Sequence, residues 1–283
     1  MTAASLQAAT TIDATTSFAY GANIGWLNWR GDATHGAVIG EYVCSGSIWS
    51  ANVGWISLGS GTPANGIQYG NAGASDFGIN LTGQYVSSGI PRGKLRGFAY
   101  GANIGWINFE ATGNPEVSLV TGKLSGYAYS ANCGWIDLGE AAFGVQTATI
   151  QAGADTDGDG ITDAYEYLHT IPPSLNVLTA TGDADGDGVS DLDEYLAATD
   201  PRDPTSNLKI TALNTGSTAY SLTWTSNAAR SYRIESKTDL FAATWTLTLD
   251  NILPDGASTT RNGATAASSQ RFFHVQAFFP LAP

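Results

Sequence analysis

Between Ser17 and Gly139 the chain alternates apolar with polar or small positions in short bursts, each interrupted by a Gly/Ser-Ala-Asn triplet. The pattern occurs four times: Phe18-Ala-Tyr-Gly-Ala-Asn-Ile-Gly-Trp-Leu27, Ile48-Trp-Ser-Ala-Asn-Val-Gly-Trp-Ile56, Phe98-Ala-Tyr-Gly-Ala-Asn-Ile-Gly-Trp-Ile107 and Tyr127-Ala-Tyr-Ser-Ala-Asn-Cys-Gly-Trp-Ile136. A period of two marks a strand with unlike faces, and a small polar triplet between two such runs marks a turn. Each copy therefore predicts a β-hairpin. The asparagines fall at 23, 52, 103 and 132, so two pairs of hairpins are related by an 80-residue shift. Self-similarity at a fixed period means one supersecondary unit used repeatedly. Ala37–Cys44, Phe77–Leu81 and Val117–Leu124 are candidates for a third strand in a unit. Residues 1–150 are expected to form one all-β domain with internal pseudo-symmetry, either a barrel or a stacked array of sheets.

Every hairpin carries an aromatic residue before its turn (Tyr20, Trp49, Tyr100, Tyr129) and a tryptophan after it (Trp26, Trp55, Trp106, Trp135). Two readings compete. In one, the rings are packing, each lying over a nearby strand glycine (Gly25, Gly54, Gly105, Gly134) that has no side chain to obstruct it. In the other, they form a row of platforms for sugar rings. Repeats need a shared core, which favours packing.

Beyond Pro204 the alternation returns in six short runs: Leu208–Leu213, Tyr220–Thr225, Ser231–Ser236, Trp245–Leu249, Ser258–Arg261 and Arg271–Phe278, with Asn262-Gly263 as a turn signal. Short strands at regular spacing predict a β-sandwich over residues 206–283. The fold class is accordingly all-β: a repeat domain and a C-terminal sandwich, joined through residues 151–205.

That joining segment breaks the pattern. It holds one acidic loop twice, Asp155-Thr-Asp-Gly-Asp-Gly-Ile-Thr-Asp-Ala-Tyr-Glu166 and Asp183-Ala-Asp-Gly-Asp-Gly-Val-Ser-Asp-Leu-Asp-Glu194. Carboxylates occupy positions 1, 3, 5, 9 and 12 of each twelve-residue window, and Gly occupies position 6. A hard cation such as Ca²⁺ demands this arrangement, with oxygens from 1, 3 and 5, a backbone carbonyl at 7 and a bidentate Glu at 12. Asp155, Asp157, Asp159, Ile161 (carbonyl), Asp163 and Glu166 are the candidate ligands of one site. Asp183, Asp185, Asp187, Val189 (carbonyl), Asp191 and Glu194 are those of the second. About two Ca²⁺ are expected. Charge agrees: 13 of the 25 acidic residues lie between Asp155 and Asp203 beside one basic residue, Arg202, so the segment carries −12 of the net −13. Neither loop is preceded by a helical pattern, but Asp163–His169 and Asp191–Thr199 follow as short helices. The motif is loop-then-helix, twice.

The run Asp187-Gly-Val-Ser-Asp-Leu-Asp-Glu-Tyr-Leu-Ala-Ala-Thr-Asp-Pro201 resembles the thrombospondin type 3-like calcium repeats of secreted bacterial proteins. That resemblance implies a rigid, calcium-filled spacer between modules. The first copy ends in Thr170-Ile-Pro where the family has Thr-Asp-Pro, so any ligand or cap from that Asp is missing there. Dockerins are similar too, but their apolar loop residue sits at position 8, whereas Ile161 and Val189 stand at 7. The Ser-Leu-Thr-Trp…Ser-Tyr-Arg-Ile-Glu-Ser…Arg-Phe-Phe-His-Val pattern of residues 208–279 resembles the fibronectin type III or immunoglobulin-like modules at the C-termini of secreted bacterial proteins. Such modules connect or display; they rarely catalyse.

Only 13% of residues are charged and 34 are Gly. With 12 Lys and Arg in the whole chain, a nucleic acid or an anionic membrane is not an expected partner. No apolar run approaches a membrane span, and no charged-then-apolar leader opens the chain, so a secreted form is expected to be the mature one. An extracellular or cell-surface location is expected. Cys44 and Cys133 are the two cysteines; an oxidised pair fits such a compartment, and two buried thiols are the alternative. His35, His169 and His274 are scattered, no nucleophile motif is present, and the chain is not expected to be an enzyme. Two functions stay in play. One is a structural subunit that self-associates into a filament, pilus-like fibre or surface assembly, with Thr2–Thr16 adding as a strand to the next copy. The other is an adhesin or carbohydrate-binding protein whose aromatic rows face a glycan or cell-surface ligand.

Overall fold

The computed structural model describes residues 10–31, 34–139, 143–216, 219–264 and 270–282, and the protein is all-β with two short helices. The repeat domain contains thirteen strands. They are β1 (Ile12–Gly21), β2 (Gly25–Asn28), β3 (Val38–Ile39), β4 (Cys44–Ser50), β5 (Gly54–Ser60), β6 (Ile79–Ser87), β7 (Ile90–Gly101), β8 (Gly105–Asn108), β9 (Glu116–Ser118), β10 (Leu124–Ser125), β11 (Tyr127–Ser130), β12 (Gly134–Asp137) and β13 (Val145–Thr147). The four predicted hairpins are β1–β2, β4–β5, β7–β8 and β11–β12. Antiparallel contacts β2–β4, β5–β7, β8–β11 and β12–β1 join each hairpin to the next and close an eight-stranded barrel. Of the two architectures left open by the sequence, the barrel is the one formed. The remaining strands extend it outward, chiefly as the β6–β7 hairpin and the β7–β9–β10 sheet.

Small-barrel geometry decides which face of each hairpin is inside. An eight-stranded barrel has an interior just wide enough for side chains to fill. The inward pairs are Ala19 with Leu27, Ile48 with Ile56, Ala99 with Ile107 and Ala128 with Ile136, all buried. Three of the four set a methyl against a branched chain, and eight indole or phenol rings would not fit. At the turn end the barrel is plugged by Ile24, Val53, Ile104 and Cys133. Below the inward pairs lie Trp29, Leu58, Phe109 and Leu138, each two residues beyond the large member of its pair and each buried. Trp29 meets Phe109 edge-on at 6.2 Å, so the layer alternates aromatic and aliphatic and turns four similar hairpins into two unlike pairs. That alternation is the packing counterpart of the 80-residue period.

The four turns hold one another in a ring. Asn52 Nδ2 donates to the Ile24 carbonyl (2.9 Å), Asn103 to Val53 (3.0 Å), Asn132 to Ile104 (2.9 Å) and Asn23 to Cys133 (3.1 Å). Each asparagine thus reaches the preceding hairpin, and the first returns to the last. The glycine after each turn stands at φ between +72° and +80°, where an L side chain is strained. Both the Asn and the Gly of the repeat are therefore backbone devices.

The linker holds helices α1 (Asp163–His169) and α2 (Asp191–Ala197), each entered directly from its acidic loop. The C-terminal strands are β14 (Ile210–Thr215), β15 (Ala219–Thr225), β16 (Ser231–Lys237), β17 (Thr246–Ile252), β18 (Ser258–Ala264) and β19 (Phe272–Phe278). They make two three-stranded sheets, β14-β15-β18 and β17-β16-β19, around Leu222, Trp224, Tyr232, Ile234 and Val275. Asn262-Gly263 is not a turn as expected. It lies inside β18, where Gly263 leaves room for the Tyr220 ring, whose atoms stand 2.4 Å from where a Cβ would be. Among the described residues no helix is long and apolar enough to cross a membrane.

Candidate metal centre

Both acidic loops fold into the same hydrogen-bonded frame. Asp155 Oδ1 accepts the Gly158 N–H at 2.8 Å and its Oδ2 accepts Gly160 at 3.0 Å; Asp183 accepts Gly186 and Gly188 at the same two distances. Asp159 accepts the Ile161 N–H (2.9 Å), as Asp187 accepts Val189 (2.8 Å). Gly158, Gly160, Gly186 and Gly188 all have positive φ, which lets the chain curl tightly enough for three carboxylates to converge. In each loop the position-1, -3 and -5 aspartates offer oxygens within 4.8 Å of one another: Asp155, Asp157 and Asp159, and Asp183, Asp185 and Asp187.

The position-12 glutamates lie near enough to each triad to feel its charges. Glu166 and Glu194 are fully buried. Neither oxygen of Glu166 has a hydrogen-bond partner, and Glu194 Oε2 has none, nor do the buried Asp159 Oδ2 and Asp185 Oδ2. An unpaired buried carboxylate is costly, and a group in this position either neutralises or meets a cation. Burial first, then the charges of Asp157, Asp159, Asp163 and Asp155, push the Glu166 carboxyl up to about 7. Burial pushes Glu194 up to about 7 as well; Asp185, Asp187 and Asp191 add to the shift while a hydrogen bond from the Thr199 hydroxyl opposes it. The donor set is all oxygen, repeated and anionic, which suits Ca²⁺.

Position 9 ties each loop to its helix. Asp163 accepts from the Thr156 N–H (2.7 Å) and hydroxyl (2.6 Å). Asp191, fully buried, accepts from the Thr179 N–H (3.0 Å) and the Ala184 N–H (2.9 Å). These bonds tie each loop to its helix, so Asp163 and Asp191 brace the loops whether or not they also face a cation. The Ile161 side chain is buried beside Tyr165, Leu178 and Tyr195. Asp200, the acid of the second Thr-Asp-Pro, lies outside the cation site: its Oδ1 faces His169 Nδ1 at 3.0 Å and accepts the Arg202 N–H.

The linker is packed, not free. Tyr165 and Tyr195 meet at 5.0 Å, with Tyr42 of the barrel and Phe279 of the C-terminal segment against them. Arg230 of the sandwich donates to the Leu196 (2.8 Å) and Tyr195 (2.7 Å) carbonyls at the end of α2, lies over the Phe279 ring and stands 3.8 Å from Glu41 of the barrel. Tyr195 Oη donates to Glu41 at 3.0 Å. Three parts of the chain thus meet at one nearly buried ion pair. Desolvation raises the Glu41 carboxyl, with Arg230 opposing. Sequence reading missed this pair, since its partners are 189 positions apart; the only signal was a lone Arg in the uncharged run Ser226-Asn-Ala-Ala-Arg-Ser231.

Two other expectations are corrected here. Cys44 and Cys133 are free thiols, both buried. Cys133 fills the plug position held by Ile24, Val53 and Ile104 in the other turns, while Cys44 opens β4, where burial pushes its thiol up to about 12. Each serves as a small apolar residue in the core. The paired aromatics, expected to pack in a shared core, point outward and are 38–52% exposed. Tyr20–Trp26, Trp49–Trp55, Tyr100–Trp106 and Tyr129–Trp135 are cross-strand neighbours with centroids 4.8–4.9 Å apart. Phe143 stands edge-on to Trp26 and Phe77 to Trp106. Trp55 and Trp135 instead lie against Gly31 and Gly113. A cleft of about 270 Å³ opens beside Tyr129 and Trp135, with Asn108, Glu110 and Thr112 along it.

Comparison with family models, curated proteins and solved structures finds no match for the chain.

Proposed function

We propose that this chain is a non-catalytic, extracellular structural protein whose linker takes up two Ca²⁺, one in each acidic loop, and so holds barrel and sandwich as one rigid unit. The observation that carries this reading is the pair of fully buried glutamates, Glu166 and Glu194, with unpartnered oxygens near triads of converging aspartates. The resemblance to thrombospondin type 3-like repeats and to fibronectin III-like modules agrees with it. Calorimetric titration of the chelated protein with CaCl₂ is expected to give two sites, and EDTA to expose the linker to protease. Absence of Ca²⁺ uptake would sink the proposal. Self-association into a polymer belongs to the same reading, but the donor segment is redrawn. Residues 2–9 lie outside the described ones, and Thr10–Thr16 belong to the chain's own barrel, with Ile12 buried opposite Thr147. Among the described residues one exposed sheet edge is β14, solvent-facing along all six residues. Light scattering of the Ca²⁺-loaded protein across a concentration series tests assembly; a monomer at every concentration argues against it.

A second reading, an adhesin or carbohydrate-binding protein, is favoured by one specific observation. Among the described residues two of the four aromatic pairs, Trp49–Trp55 and Tyr129–Trp135, have no Phe ring against them, and the second borders a cleft with amide and carboxylate groups. Half-exposed rings beside hydrogen-bonding side chains suit a neutral sugar. Titrating a panel of soluble oligosaccharides while following tryptophan fluorescence distinguishes the readings: binding lost in Trp135→Ala but kept in Trp26→Ala supports the second.

A further inference from the structure

Resting on the calcium reading, we infer that Asn207 is a ligand of the second cation site, so that the C-terminal sandwich supplies part of that site's coordination shell. Asn207 lies between the linker and β14, outside the twelve-residue loop. Its Nδ2 donates to Asp187 Oδ2 at 2.6 Å, and Asp187 belongs to the converging triad. Its Oδ1 is buried without a hydrogen-bond partner, as are Asp185 Oδ2 and Glu194 Oε2 of the same site. A half-turn about the Cβ–Cγ bond exchanges Oδ1 and Nδ2 and leaves the rest of the residue in place. The amide N–H₂ donates a hydrogen bond to the Asp187 carboxylate. With a cation present, the amide oxygen takes that place, since Asn carbonyls are ordinary Ca²⁺ ligands and the cation relieves the crowding of oxygens.

Asn207 is also anchored at its backbone. Its carbonyl accepts the Thr225 hydroxyl at 2.7 Å, and the same hydroxyl oxygen accepts the Lys209 N–H at 2.9 Å, both on the β15 side of the sandwich. A cation held by Asp187 and Asn207 together pins α2 and its loop to the sandwich. The two sites therefore differ in consequence: the first rigidifies the linker, and the second fixes the linker to the module that follows.

The test uses the full chain in an Asp157→Ala background, which silences the first site so that the second is read alone by CaCl₂ calorimetry. Asn207→Ala is expected to weaken that remaining site by about 10-fold or more, within the range for lost coordination-sphere partners. Asn207→Asp, which adds a charged oxygen at the same reach, is expected to tighten it, an effect that a merely structural role would not produce. In an Asp185→Ala background, Asn207→Ala should leave the first site unchanged. If the parent protein binds two Ca²⁺ and neither Asn207 variant alters either affinity, the assignment of Asn207 is overturned while the calcium reading stands. If Asn207→Ala does not fold, the Asp variant decides: unchanged affinity overturns the assignment.

Discussion

At the scale of single residues, the Asn and Gly of the repeat serve the backbone and not a ligand. Asn103 donates to the Val53 carbonyl of the neighbouring hairpin, and Gly54 sits at φ +80°. Asn103→Ala should cost about 1 kcal/mol, the usual net worth of one hydrogen bond. Asn103→Asp should cost more, because a carboxylate placed against a carbonyl repels it and cannot donate. Gly54→Ala meets only Asn103 Nδ2 at 3.5 Å, so its expense is conformational, roughly 1–2 kcal/mol. Urea unfolding of the three variants checks the order Asp worse than Ala at position 103. The thiols give a second expectation. Buried and, for Cys44, shifted up to about 12, they should be silent to a thiol reagent at pH 8 in the native protein. Two equivalents should then react on unfolding without reductant.

At the scale of elements, the acidic loops and their helices behave as coupled units. Each helix has only seven residues, too few to be stable alone, and depends on the loop hydrogen bonds at its N-terminal end. Asp191→Ala removes an acceptor from two backbone N–H groups in a fully buried place and should cost about 3 kcal/mol. Asp163→Ala, whose bonds are exposed, should cost less, and thermal melts in excess Ca²⁺ compare the two. The glutamates set the pH response. Their folded values of about 7 lie above the ordinary 4.5, so without cation they favour the folded state below 4.5, and this contribution is lost as pH rises through 7. Ca²⁺ requires the deprotonated form, which makes its apparent affinity fall as pH drops below 7. Proton release on Ca²⁺ binding at pH 6.5, read by calorimetry in buffers of differing ionisation enthalpy, is the check, and its absence would contradict the shifted glutamates.

At the scale of the whole molecule, the Glu41–Arg230–Tyr195 junction decides whether barrel, linker and sandwich move as one. Arg230→Ala strands Glu41 in a nearly dry site and uncaps the last carbonyls of α2. The loss should be about 3–5 kcal/mol, the usual penalty for breaking a buried pair from one side. Removing both charges in an Arg230→Met, Glu41→Gln double variant should restore part of it. Limited proteolysis and small-angle scattering in Ca²⁺ follow the outcome: the single variant should become more extended and more readily cut than the double.

The sequence by itself determined what is local. Turn chemistry and period-two alternation placed the four hairpins, the acid spacing placed the two loops, and short strands at regular spacing placed the sandwich, because each signal lies within about a dozen neighbouring residues. Tertiary structure decided what depends on closure and on distant partners. Whether Trp26 or Leu27 faces inward cannot be read from a hairpin apolar on both sides; the narrow bore of a closed eight-stranded barrel admits the smaller one. Asp163 and Asp191 stand out in the spacing only as carboxylates; that they also accept hydrogen bonds from Thr156, Thr179 and Ala184 depends on groups that only the folded loop presents. Cys44 and Cys133 share a core without being bonded, as packing needed two small apolar groups there and not a bridge. Asn207 and Arg230 carry no local motif at all; they reach Asp187 and Glu41 only because the chain, once folded, brings its last module back onto its linker and its first.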